Sequence, residues 1–181
     1  IMVFDFDGVI IDSTEVKIDE YRNLFSQFTK NADTLNKIIS IYRNSAGIPR
    51  EITLKKVFKE VLDKTVSNQE VENLSLDYSK HIFLRLETIE PLKGFLEYLA
   101  IHKEINKHII SGAPNSDIFY LIKKLNLSKY FKSIKGGPLN KKNEIINIMK
   151  LAKVKARDIV YFGDQKNDCI AAKSAGVGFI G

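Results

Sequence analysis

The chain has no tryptophan, a single cysteine, only four prolines and no long uninterrupted apolar run. Each shortage excludes something. One cysteine, Cys169, rules out an internal disulfide framework and suits a reducing compartment. No apolar stretch approaches the roughly 20 residues that a membrane-spanning helix needs, so no membrane role is expected. The apolar start meets Asp5 and Asp7 at once and lacks a basic leader. It is therefore not read as a signal peptide, and the expected location is cytoplasmic. Ten glycines and four prolines in 181 residues, with 44% hydrophobic and 28% charged residues, exclude collagen-like and disordered chains. That length can bury one good core, or one core with a small satellite domain. The first residue is Ile1, and Val177–Gly181 reads as a strand being entered, so the natural chain is expected to continue past both ends.

Charge is the next constraint. Lys and Arg outnumber Asp and Glu by 28 to 22, a net +6. Such an excess can serve nucleic acid, an anionic surface or a phosphorylated small substrate. The basic residues here come in scattered pairs such as Lys55-Lys56, Lys123-Lys124 and Lys141-Lys142, each beside apolar residues at helical spacing. There is no basic tail, zinc-ligand pattern or aromatic ladder interleaved with Arg, so no nucleic-acid partner is expected.

Ile1-Met2-Val3-Phe4 is a short apolar run suited to a strand buried on both faces, and it stops at Asp5-Phe6-Asp7-Gly8. From about residue 14 to 88 the period becomes helical, giving four amphipathic helices with no intervening strand. Gly47-Ile48-Pro49 separates the second from the third. Pro91 is read as starting a further helix with Leu92, Phe95, Leu96 and Leu99 on one stripe. Strands then alternate with helices: 108–112, a weak 131–135 and a clear 158–162, with helices around 118–125, 145–152 and 171–175. This alternation predicts an open parallel sheet with helices on both faces, interrupted early by an all-helical insertion. Ligands of such sheets bind beyond the carboxyl ends of the strands. There stand Asp5 and Asp7, Ser111-Gly112, Lys141-Lys142, Gly163-Asp164 and, just beyond, Asp168. Carboxylates clustered in a cleft repel one another unless a cation neutralises them. Few hard oxygen ligands left open to water and phosphate suit Mg²⁺ better than a calcium cage.

Those residues carry a resemblance. Asp5-Phe6-Asp7-Gly8-Val9-Ile10 followed by Asp12-Ser13, then Ile109-Ile110-Ser111-Gly112, a lysine before Asn143-Glu144, and Gly163-Asp164-Gln165-Lys166-Asn167-Asp168 are together similar to the motifs of the haloacid dehalogenase superfamily, in that family's order. The similarity is to its phosphoglycolate phosphatase and β-phosphoglucomutase-like branch. It covers everything except the helical insertion. The expected fold class is thus α/β: an open, Rossmann-like parallel core (1–13 plus 89–181) with an inserted helical cap (14–88).

The resemblance implies a Mg²⁺-dependent phosphoric monoester hydrolase acting on a small phosphorylated metabolite, as a monomer or weak homodimer. Asp5 becomes the nucleophile that forms an aspartyl-phosphate. Asp7 becomes the general acid and base, its backbone carbonyl helping to hold the metal. Asp164 is implied as a direct ligand, and Asp168 as a group that directs bound water or the lysine, so the metal set is Asp5, Asp7, Asp164 and Asp168. Ser111 and the Gly112 N–H would hold phosphate oxygens. Lys141 and Lys142 compete for the charge-neutralising role, and Lys142 is favoured because the family lysine stands shortly before an acidic residue, here Glu144. Arg50, after the rigid Gly47-Ile48-Pro49 turn, is a candidate for contacting a substrate tail, with a plain helix-starting arginine as the alternative. A phosphomutase of the β-phosphoglucomutase type and a non-catalytic regulatory module are the competing readings. Dehalogenase chemistry is disfavoured by Asp7, and phosphonate hydrolysis by the absence of a distinctive cap lysine.

Overall fold

Three residues, Met2–Phe4, form the first strand, β1, and it is the centre of the molecule's only sheet among the described residues. A computed structural model describes residues 1–45 and 48–181. Gly47, in the expected turn, lies outside them, while Pro49 directly precedes a helix. The other strands are β2 (Lys107–Pro114), β3 (Ser133–Gly137), β4 (Val160–Phe162) and β5 (Gly178–Ile180). All pairings are parallel, in the order β3-β2-β1-β4-β5. The open parallel sheet inferred from the alternation of strands and helices is therefore the one observed. Chain order runs outward from β1 in one direction to β3 and then resumes on the other side with β4. The reversal falls between β1 and β4, the place at which ligands of such sheets bind beyond the strand ends.

The helices are α1 (Thr14–Ser26), α2 (Ala32–Asn44), α3 (Arg50–Glu60), α4 (Asn68–Arg85), α5 (Phe95–Ile101), α6 (Asn115–Lys124), α7 (Lys141–Ala152) and α8 (Lys166–Ala175). The chain divides into two compact units, Ile1–Asp12 with Ile89–Gly181, and Ser13–Thr88. In the first unit the central strand buries both faces. Val3, Ile110 and Tyr161 pack under Ile145 and Ile148 of α7 and Ala171 and Ala172 of α8. Phe4 points the other way and meets Phe95, Tyr98, Phe131 and Phe162, stacking on the last at 4.7 Å. Gly176 closes α8 in the left-handed conformation, the cap expected from its position after Ala175.

One helix start departs from expectation. Pro91 does not begin α5; the chain turns first, through Gly94 at φ +86°, and the helix starts at Phe95. Phe95 and Leu99 are buried, but Leu92 and Leu96 are exposed. The reason is that the Leu92 N–H donates to the Ile10 carbonyl at 2.8 Å, holding residues 91–94 as a connector instead of a first helical turn.

The described residues of the second unit carry four helices, α1 to α4, and no strand. Tyr21 stacks on Tyr42 at 4.3 Å, and Phe25, Phe28 and Phe58 form an adjoining ring cluster. Ser67 and Glu70 cap α4 reciprocally, each satisfying the other's backbone N–H. Among the described residues no helix is long and apolar enough to cross a membrane.

Candidate active site

Asp5 is the first residue beyond β1. Its N–H donates to the Phe162 carbonyl of β4 at 2.8 Å, so the backbone stays locked to the sheet where the side chain emerges. One carboxylate oxygen accepts the Phe6 N–H at 2.8 Å; the other lies 2.9 Å from Lys141 Nζ. Asp5 is buried, and burial is the chief reason its carboxyl is pushed up from 3.8 to about 7. Lys141 works against that rise, while the charges of Asp168 and Asp7 add to it.

After Asp5 the chain leaves the strand. Phe6 is fully buried and Gly8, at φ +76°, turns the chain so that its N–H donates to the Ile11 carbonyl. Asp7 pairs with Ile11 in an isolated bridge and remains half-buried. It is close enough to raise the pKa of Asp5, yet its carboxylate is outside the oxygen cluster described next. A Cβ on Gly8 would collide with the Asp164 carboxylate, so glycine here serves both the turn and the approach of that side chain.

Carboxylate oxygens of Asp5, Asp164 and Asp168 all lie within 4.8 Å of one another. Asp164 is exposed just beyond β4, its Oδ2 accepting from Gln165 Nε2 at 2.7 Å, and partial burial raises its pKa. Asp168 is fully buried at the third position of α8. Its Oδ1 receives Lys141 Nζ at 2.6 Å and the Tyr161 hydroxyl at 3.1 Å; its Oδ2 receives the Gln165 N–H at 3.1 Å. A buried carboxylate so provided with donors is held in one orientation. Both of its oxygens are thus committed within the protein, which suits steering the lysine better than ligating an ion. Gly163 is required nearby, since a Cβ there would run into the Asp168 side chain.

The lysine of this cluster is Lys141, and Lys142 is exposed. The reason is helical phase. Asn140 caps α7 by accepting the Asn143 N–H, so Lys141 is its first residue. Lys141 lies four and seven residues before Ile145 and Ile148, the two buried residues of α7, and so shares their face. Lys142 is turned about 100° away. Burial pulls the Lys141 pKa down, but Asp5 and Asp168 together outweigh it and raise it, so the ammonium stays charged.

Ser111 is buried in β2, and its Oγ accepts the Ala113 N–H at 3.2 Å. Gly112 and Ala113 are backed by β3: a Cβ on Gly137 would press on the Gly112 carbonyl, and one on Gly136 on the Asn115 backbone. Arg50 belongs to the helical unit. There it donates to the Ser75 carbonyl at 3.0 Å and to Ser79 Oγ at 2.6 Å, and covers the Tyr78 ring at 4.6 Å. Arg50 is the first residue of α3, as the helix-starting alternative has it, and it braces α3 against α4.

A family model described as haloacid dehalogenase-like hydrolase matches residues 2–181. The chain belongs to the haloacid dehalogenase-like hydrolases. Curated relatives include a phosphoglycolate phosphatase of Pseudomonas fluorescens, 22% identical, which covers all of this chain and 68% of the relative. A phosphorylated carbohydrates phosphatase of Thermotoga maritima is 24% identical over 97% of this chain and 81% of its own length. The chain spans 66% of a Pseudomonas aeruginosa phosphoglycolate phosphatase. Among solved structures, a predicted phosphoglycolate phosphatase from Haemophilus somnus shares the fold with TM-score 0.77 at 15% identity, covering 100% of this chain and 84% of that one. A Thermotoga maritima structure assigned provisionally to the β-phosphoglucomutases reaches 0.70 at 21% identity, covering 99% and 85%. Phosphoric monoester hydrolysis, the class expected from the motifs, is the class of the curated phosphatases.

For this haloacid dehalogenase-like hydrolase, the structure gathers Asp5, Lys141, Asp164 and Asp168 at one rim, with Asp7 and Ser111 on the segments beside it. Sequence reading passed over Tyr161, which touches Asp168. Its one signal is a hydroxyl within an otherwise apolar strand, two residues before Gly163-Asp164.

Proposed function

We propose that this chain is a Mg²⁺-dependent phosphatase acting on a small phosphorylated metabolite, with Asp5 as the nucleophile. The observation that carries the reading is the Lys141 ammonium, 2.9 Å from Asp5 and 2.6 Å from Asp168, beside Asp164 at the strand-order reversal.

The donor set fits the ion. Carboxylate oxygens of Asp5, Asp164 and Asp168 lie within 4.8 Å of one another, and the Lys141 ammonium pairs with two of these residues, Asp5 and Asp168, so hard oxygen donors outnumber the cation beside them. Asp5 and Asp164 would hold Mg²⁺ as hard oxygen donors, with the Asp7 carbonyl as the third protein oxygen. When bound, the ion supplies positive charge that favours the ionised Asp5 and offsets charge on the phosphoryl oxygens.

Asp5 then attacks phosphorus as the ester P–O bond breaks, and Asp7 gives its proton to the leaving alcohol oxygen. Water next attacks the aspartyl-phosphate, with Asp7 taking a proton from it, and phosphate leaves. Lys141 neutralises the Asp5 and phosphoryl charges throughout, and Asp168 keeps it aimed. Ser111 Oγ and the Gly112 N–H hold phosphate oxygens as charge builds.

The test is release of free phosphate across a panel of sugar phosphates, phosphoglycolate, nucleoside monophosphates and p-nitrophenyl phosphate, with Mg²⁺ and after EDTA. Activity that needs Mg²⁺, returns on its addition and vanishes in Asp5→Asn supports the reading. Hydrolysis unchanged by exhaustive chelation, or by Asp5→Asn, refutes it. Conversion of β-glucose-1-phosphate to glucose-6-phosphate without phosphate release would identify a mutase instead.

A further inference from the structure

The mechanism above leaves Tyr161 without a task, although its hydroxyl lies inside the charged cluster. Tyr161 is fully buried on β4, in register with Val3 of β1, and so lies on the sheet face beneath α7 and α8. Its ring reaches across β1, because its hydroxyl is 3.3 Å from the Ile110 carbonyl of β2 and 3.1 Å from Asp168 Oδ1. One phenolic proton cannot serve both fully, and Asp168 Oδ1 is the nearer acceptor.

Asp168 needs such a partner. Its terminal torsion is intrinsically broad, and Lys141, the other donor to Oδ1, sits on a flexible stem. The Gln165 N–H fixes only Oδ2. A donor on a rigid ring in the middle of the sheet is what stops the carboxylate from turning. The carbonyl that Tyr161 also touches belongs to the residue just before Ser111, so one hydroxyl refers both the lysine and the phosphate-binding segment to the same strand.

We propose that Tyr161 is a positioning residue: by locking the Asp168 carboxylate between β2 and β4, it holds the Lys141 ammonium against Asp5. This rests on the phosphatase reading. Packing alone makes a different forecast, since phenylalanine fills the same space.

The experiment uses the full chain with Mg²⁺ and p-nitrophenyl phosphate. Tyr161→Phe lowers kcat by about tenfold to a hundredfold and leaves KM within about threefold, because ground-state phosphate contacts remain while the charge-neutralising group drifts. A thermal melt shows that the variant is folded. p-Aminophenylalanine at the same position keeps a ring donor and brings kcat back to within about threefold of wild type. Wild-type kcat in Tyr161→Phe overturns the proposal, as does a loss confined to KM. If Tyr161→Phe does not fold, the aminophenylalanine protein decides: a folded variant slowed more than about tenfold overturns it. Asp5→Asn separates the two claims. Equal rates for Asp5→Asn and wild type, including two inactive proteins, sink the phosphatase reading and this inference with it. An inactive Asp5→Asn beside an active wild type and an unimpaired Tyr161→Phe sinks the positioning role alone.

Discussion

Replacing the Asp5 carboxylate with its neutral amide should make the metal-free protein more stable at alkaline pH. In the folded state the Asp5 carboxyl is raised from 3.8 to about 7, chiefly by burial. A raised pKa means that the folded protein holds this proton more tightly than the unfolded chain. The associated stability is complete below about pH 3.8 and is lost as pH climbs through about 7. The interval is roughly 3 pH units, and at about 1.4 kcal/mol each the ionised side chain costs up to about 4 kcal/mol at pH 8. Asparagine keeps the shape and avoids the charge, so Asp5→Asn should gain about 1 to 4 kcal/mol there. For a chain of this size that is a Tm rise of about 2 to 15 °C. Thermal melts in EDTA at pH 4, 6 and 8 should show the difference growing with pH from near zero. Added Mg²⁺ should narrow it, because an ion that favours the ionised carboxylate stabilises only the wild type. A variant no more stable than wild type at pH 8, or a gain equal at all three values, would refute the reasoning.

Lys141→Met should lower kcat at least about a hundredfold, whereas Lys142→Met should stay within about threefold, since that side chain is exposed; equal losses would contradict the assignment. Gly8→Ala should cost about 1 to 2 kcal/mol for its left-handed backbone. It should also weaken Mg²⁺ binding, measured by calorimetry, because its methyl displaces Asp164. Arg50→Ala should lower Tm by about 3 to 10 °C, as the Ser75 and Ser79 hydrogen bonds and the Tyr78 contact are lost together. Arg50→Lys should recover under half of that, since an ammonium cannot reproduce the planar fork.

Much of the core could be read along the chain because its cause is local. Val3 and Phe4 need two buried faces, and a strand interrupted by Asp5 and Gly8 must end there. The alternation of apolar strands with helices over 107–181 admits few arrangements besides a parallel sheet. Such a sheet brings carboxylates far apart in sequence, Asp5, Asp164 and Asp168, to one rim. The helix face was less legible. Lys142 was favoured for its place shortly before Glu144, whereas the buried pair of α7, Ile145 and Ile148, shares its face with Lys141. Pro91 misled for a similar reason: its local preference for a helix start yielded to the hydrogen bond between Leu92 and Ile10, a contact across about 80 residues.

The chemistry able to gather at the sheet edge was legible along the chain, since acidic residues stand where apolar strands stop. So were the four helices of residues 14–45 and 48–88, through spacing. Packing set which lysine meets Asp5, that Asp168 spends both oxygens on neighbours, and that Tyr161 reaches across β1 to it. Those outcomes depend on helix rotation and on side chains crossing between strands, and no spacing along the chain records either.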